Sequence, residues 1–105
     1  MVDRKQKCFH VVIPLSDSFG EENVKQFFDH HLEFEKCIYA VHANPGKIPH
    51  FHIYLCGFDD LFSEDVRKLF GVSGALVEGV RCDDLIVLQY MQGKNSVLHT
   101  FVRKK

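Results

Sequence analysis

Two histidines separated by one hydrophobic residue, His50-Phe51-His52, form the segment of the sequence best suited to metal chemistry. Residues two apart on a β-strand point to the same face, so the two imidazoles project together while Phe51 faces the other way. Imidazole nitrogens are common metal ligands. The spacing alone decides little, because seven histidines in 105 residues give about 0.5 such pairs per chain by chance.

A third histidine, His42, strengthens the prediction of a metal site. The residues Asn44-Pro45-Gly46-Lys47 are typical of a tight turn, and a turn centred on Gly46 places His42 directly opposite His50. Opposed Cβ atoms lie about 5 Å apart and imidazoles bind metal at about 2.1 Å, so three rings can converge on one ion. The alternative is three histidines that share a face without binding metal.

Three neutral imidazoles define what such an ion can do. They leave its positive charge uncompensated and leave coordination positions open, whereas structural zinc sites are usually closed by four ligands. The ion would therefore act as a Lewis acid on an anionic substrate such as a phosphate. The predicted cofactor is a divalent metal ion, Mn or Mg in function, with Zn, Ni or Co able to bind in vitro.

A tyrosine near the C-terminus is the predicted nucleophile. Tyr90 lies near the end of a predicted helix and is followed by Lys94, which can offset charge that develops on a phosphate. Tyr39 is predicted to face the core, and Tyr54 shares the face of the histidines but sits on a rigid strand. The alternative for Tyr90 is a structural role, in which its ring packs on the sheet.

Three further residues are predicted to contact DNA. His10 lies on the first predicted strand, Lys47 is a basic residue in the predicted turn, and Tyr54 projects from the same strand face as His50 and His52. For His10, packing within a strand is the alternative.

The hydrophobic pattern predicts one α+β domain over residues 1–105. Strands are predicted at 8–15, 34–43, 49–57, 75–80 and 97–102, and helices at 20–31, 63–70 and 84–92. This β-α-β-β-α-β-α-β order predicts a central antiparallel five-stranded sheet with helices packed on it.

Composition limits the classes of function. The chain is 46% hydrophobic with ten phenylalanines, enough for one core, and no stretch approaches transmembrane length. Its net charge of −1 predicts modest, salt-dependent affinity for DNA, because phosphate binding depends on Lys and Arg. The four cysteines lie in or beside apolar segments, which predicts buried residues in a reducing compartment rather than a disulfide framework.

Together these motifs resemble the HUH endonuclease domain of replication initiator (Rep) proteins from small single-stranded DNA viruses and rolling-circle plasmids. That family has an apolar first-strand motif, then histidine-hydrophobic-histidine on a central strand, then a tyrosine with a following lysine on a helix. The counterparts here are residues 9–13, 50–55 and 90–94. Two positions depart from the common pattern. His42 stands where many viral members have Glu, and Tyr-x-x-x-Lys matches parvovirus-type rather than circular-genome initiators.

The resemblance implies a tyrosine nuclease that initiates rolling-circle or rolling-hairpin replication. Tyr90 would attack a phosphate of single-stranded origin DNA, become linked to the 5′ phosphate and release a 3′-hydroxyl, and the reverse attack would rejoin strands without ATP. A helicase domain or protein acting in trans is an implied partner, and a membrane is not. The implied location is the host nucleus for a eukaryotic virus and otherwise the cytoplasm. A non-catalytic nucleic-acid-binding or metal-binding module is the alternative.

Overall fold

The computed structural model describes residues 5–43, 45–72, 74–80, 89 and 97–104. They form, in chain order, β1 (Lys5–Pro14), α1 (Glu21–His30), β2 (Phe34–His42), β3 (His50–Phe62), α2 (Ser63–Phe70), β4 (Leu76–Val80) and β5 (His99–Val102). The five strands make one antiparallel sheet in the order β4-β1-β3-β2-β5. The predicted α+β class and five-stranded antiparallel sheet are confirmed. The third predicted helix falls, except for Gln89, outside the described residues.

One side of the sheet, here called the helix face, holds the main core. Alternate residues of the central strands point to it, because successive side chains of a strand lie on opposite faces. Each helix adds the apolar side of an amphipathic sequence. The buried members include Phe9, Val11, Ile13, Phe51, Ile53 and Leu55 from the strands, and Val24, Phe27, Phe28, Val66 and Phe70 from the helices.

The opposite side, here called the histidine face, carries the other alternate residues of the same strands. Its buried cluster comprises Cys8, Ile38, Tyr54 and Cys56, with Val80 and Leu98 packed against it. The cysteines at 8, 37 and 56 are buried, as predicted. Cys8 is disulfide-bonded, however, so the expectation of reduced cysteines is wrong at that position.

β3 runs five residues beyond its predicted end at Gly57. Gly57 lies next to irregular pairing on both neighbouring strands. A Cβ atom at this position would stand 2.8 Å from the carbonyl oxygen of Asp59. Gly57 therefore allows a close approach of backbone within a continuing strand.

Arg103 joins the end of the chain to the end of α1. Its guanidinium donates to the carbonyl oxygens of Phe28, His31 (3.0 Å) and Phe34 (2.7 Å), and it lies 4.2 Å from the centre of the Phe28 ring. The last carbonyls of a helix have no partner within the helix, so the bond to Phe28 satisfies a group that would otherwise need water. Arg103 is thus a structural residue rather than a free charge for DNA.

Arg103→Lys is expected to lower the free energy of unfolding by about 2 kcal/mol, because an ammonium group cannot reproduce the planar fork of charge-assisted bonds. Urea denaturation would measure the change. Lys104→Ala, at an exposed neighbouring position, is the control and should leave stability nearly unchanged. Equal stability of Arg103→Lys and the parent protein would show that the three carbonyl contacts contribute little.

Among the described residues, no helix is both long enough and apolar enough to cross a membrane.

Candidate metal centre

The turn between β2 and β3 sets the register of the histidines. Gly46 has φ of 78°, a left-handed conformation that glycine adopts without steric cost. The two strands then pair so that His42 stands opposite His50 and Ala40 opposite His52. The predicted pairing of His42 with His50 across this hairpin is confirmed.

The three predicted ligands converge on the histidine face. One ligand atom from each of His42, His50 and His52 can be chosen so that all three lie within 4.8 Å of one another. The ring of His42 is centred 4.1 Å from that of His52 and 5.7 Å from that of His50. His52 is buried and the other two rings are partly exposed, so the cluster is open to solvent on one side.

The orientation of the rings favours an ion more strongly than their proximity does. The Nε2 atoms of His50 and His52 face each other at 3.0 Å. Behind them, His52 Nδ1 lies 2.9 Å from His10 Nε2, and His50 Nδ1 lies 3.4 Å from the carbonyl oxygen of Ile48. With both Nδ1 atoms protonated and donating to these acceptors, both Nε2 lone pairs point into the same space. Metal-binding histidines are usually held in this way.

The distances fit a small divalent ion. Nitrogen atoms bound at about 2.1 Å lie about 3.0 Å apart in octahedral geometry and about 3.4 Å apart in tetrahedral geometry. The 3.0 Å between His50 and His52 falls at the lower of these values. The ligand atom of His42 lies within 4.8 Å of those of His50 and His52. The residues present can therefore hold one divalent ion with positions left for other ligands.

The environment of His52 keeps its imidazole neutral. Burial is the main reason that its pKa is lowered to about 4, and the neighbouring imidazoles add to the effect. Burial also lowers the pKa of His10, although the Glu78 carboxylate opposes that shift. A neutral ring is the form that binds metal, so His52 remains ready to bind an ion well below neutral pH.

The metal-free protein is expected to lose stability as the pH falls from about 6.5 towards 4. The unfolded chain binds a proton at His52 near pH 6.5, whereas the folded chain does so only near pH 4. The stability due to the neutral ring is thus complete above pH 6.5 and lost on acidification. Urea denaturation with a chelator at pH 7.5 and pH 5 would measure it. His52→Asn should weaken this pH dependence, and an identical dependence in both proteins would contradict the assignment.

The other predicted site residues have different surroundings. Lys47 is exposed in the turn beside the histidines, where a phosphate could reach it. His10 is partly buried and hydrogen-bonded to His52, so it supports one of the three candidate metal ligands. Tyr54 has no exposed surface, because it packs within the apolar cluster of the histidine face, and it therefore does not meet the requirement for a DNA contact. The predicted catalytic residues Tyr90 and Lys94 lie outside the described residues.

Glu78 is a site residue that the sequence analysis did not identify. It stands opposite His10 in the pairing of β1 with β4, and the two residues line a cavity of about 280 Å³ together with Val12, His52 and Leu76. Nothing in the local sequence around Glu78 marks it. Only the register between strands far apart in the chain brings it to the histidines.

No protein family and no curated protein matches the sequence.

Proposed function

We propose that this protein is a metal-dependent nuclease that nicks and rejoins single-stranded DNA, with Tyr90 as the nucleophile. The observation that carries the proposal is the pair of facing Nε2 atoms of His50 and His52, with His42 alongside and a hydrogen-bond partner behind each Nδ1 atom. Neutral ligands and an open side suit an ion that acts on a phosphate better than one that only holds the fold together.

The tyrosine supplies the covalent chemistry. Its phenolic oxygen would form a bond to a backbone phosphorus, the bond from phosphorus to the 3′ oxygen would break, and the proton lost by the phenol would balance the one gained by the 3′-hydroxyl. A bound ion would make the phosphate more electrophilic and stabilise charge on its oxygens. The 5′-phosphotyrosine keeps the energy of the original bond, so attack by a 3′-hydroxyl can reseal the strand.

The HUH Rep resemblance supports this assignment through the order of its motifs. An apolar first strand, the histidine pair on the central strand and a late tyrosine followed by lysine occur here in the family's order, and β3 is the central strand of the sheet. On this basis we propose single-stranded origin DNA as the substrate and a helicase acting in trans as a partner. Lys47, exposed beside the histidines, is the described basic residue best placed for the DNA backbone.

The proposal is tested by incubating the protein with Mn²⁺ and a pool of single-stranded oligonucleotides, followed by a denaturing gel. A covalent protein–DNA band that disappears with EDTA is the expected result. If no sequence and no divalent ion gives the band, the enzyme assignment fails. DNA binding without the band would instead favour the non-catalytic binding module.

A further inference from the structure

A cavity of about 280 Å³ lies on the histidine face beside the candidate metal centre, over the adjacent strands β4, β1 and β3. The described residues that line it are His10, Val12, His52, Leu76 and Glu78. His52 belongs to both places, because its Nε2 atom faces His50 while its ring also lines the cavity. A molecule in the cavity would therefore lie next to anything bound by the three histidines.

The charges around the cavity indicate which part of a nucleotide fits there. Glu78 is the charged residue among the described residues that line the cavity, and a carboxylate repels phosphate. The same carboxylate accepts hydrogen bonds from amino groups, as acidic side chains do when they bind the exocyclic amine of cytosine. A phosphate is thus favoured at the histidines, and a neutral group that donates hydrogen bonds is favoured in the cavity.

The shape of the cavity indicates a flat, ring-sized group. The rings of His10 and His52 are nearly parallel, with 14° between their planes and 5.1 Å between their centres. Val12 and Leu76 add apolar surface, and Leu76 is 64% exposed. The volume of about 280 Å³ lies just below the range of about 300 to 1,000 Å³ for small-molecule sites. Aromatic and imidazole rings commonly stack on unpaired bases.

We propose that this cavity binds one base of the substrate strand and prefers bases with an exocyclic amino group, which are cytosine, adenine and guanine. Glu78 is the specificity-determining residue, and His10 and His52 offer the ring surface. The proposal rests on the proposed function, since it takes single-stranded DNA as the ligand. Binding of a base in the cavity would determine which phosphate of the strand is presented to the ion.

The sharpest test compares two short fluorescent oligonucleotides, oligo-dC and oligo-dU, by anisotropy with the Mn²⁺-loaded protein. At position 4 cytosine carries an amino group and uracil a carbonyl, and at the adjacent N3 atom cytosine accepts a hydrogen bond whereas uracil donates one. We expect oligo-dC to bind roughly five- to tenfold more tightly. In Glu78→Gln the ratio should fall below about twofold, because an amide both donates and accepts and so serves either base.

Glu22→Gln is the matched control, since it removes the same charge from an exposed position on α1, on the helix face. It should keep the preference for oligo-dC. Equal binding of the two oligonucleotides, no binding of either, or a preference that survives in Glu78→Gln would each overturn the proposal. The covalent band on the denaturing gel is a separate readout: its absence counts against the nuclease, and its presence without base preference counts against the cavity alone.

Discussion

Replacing both His50 and His52 with alanine is expected to abolish tight binding of a divalent ion. The two facing Nε2 atoms would be removed together, and His42 alone is a weak site. Loss of a group that only supports a metal ligand lowers the affinity for the metal roughly 10- to 100-fold. Loss of the two ligands themselves should lower that affinity further. Isothermal calorimetry with Mn²⁺ and Zn²⁺ would measure the loss, and the covalent DNA band should vanish with it.

His30→Ala provides the matched control for this pair of substitutions. His30 is an exposed histidine at the end of α1, on the other side of the sheet, and its loss should leave metal affinity unchanged. Because His52 is buried, circular dichroism should accompany each titration to show that the variant is folded. The single variant His50→Ala, at a partly exposed position, provides a milder change. Unchanged ion binding in the folded double variant would rule out the three-histidine site.

Tyr90→Phe is expected to eliminate covalent capture of DNA while leaving metal binding intact. The substitution deletes one oxygen and keeps the ring, so any packing role of the side chain survives. Loss of an attacking group typically costs a reaction several orders of magnitude, and we expect a fall of at least about a thousandfold. A denaturing gel measures the adduct, and mass spectrometry of the parent protein locates it.

Tyr54→Phe makes the same chemical change at a tyrosine that is fully buried on the histidine face. It should retain the ability to form the adduct, provided that its thermal unfolding shows an intact fold. An adduct mapped to Tyr54, or one still formed by Tyr90→Phe, would refute the choice of nucleophile. Loss of the adduct in both folded variants would mean that at least one of the two tyrosine hydroxyls is needed for something other than attack on the phosphate.

The arrangement of the candidate metal centre could be predicted because its geometry is local. A two-residue period on β3 and one turn signal around Gly46 were enough to place His42 opposite His50, as found. The sheet also followed from alternating hydrophobicity and turn residues. The predicted end of β3 was wrong because Gly57 has two meanings in a strand, a stop or a close approach of backbone, and local sequence does not distinguish them.

The surroundings of the site could not be predicted, because they depend on strands far apart in the chain. His10 meets His52 through the pairing of β1 with β3, and Glu78 meets His10 through the pairing of β1 with β4. Tyr54 shares a face with the histidines, as alternation predicts, yet alternation says nothing about what covers that face. Its complete burial is a property of the packed cluster around it.

All three candidate ligands belong to a single hairpin, the β2–β3 pair. Closing so short a loop costs little chain entropy, whereas pairing β1 with β3 must bring together residues as distant as His10 and His52. An ion can therefore bind this hairpin before the remaining strands have assembled. Its binding would stabilise the hairpin, which is the folding nucleus on which those strands pair. Its binding would then speed folding, but it would stabilise the native state by less than its full affinity, because the partly folded chain binds it too.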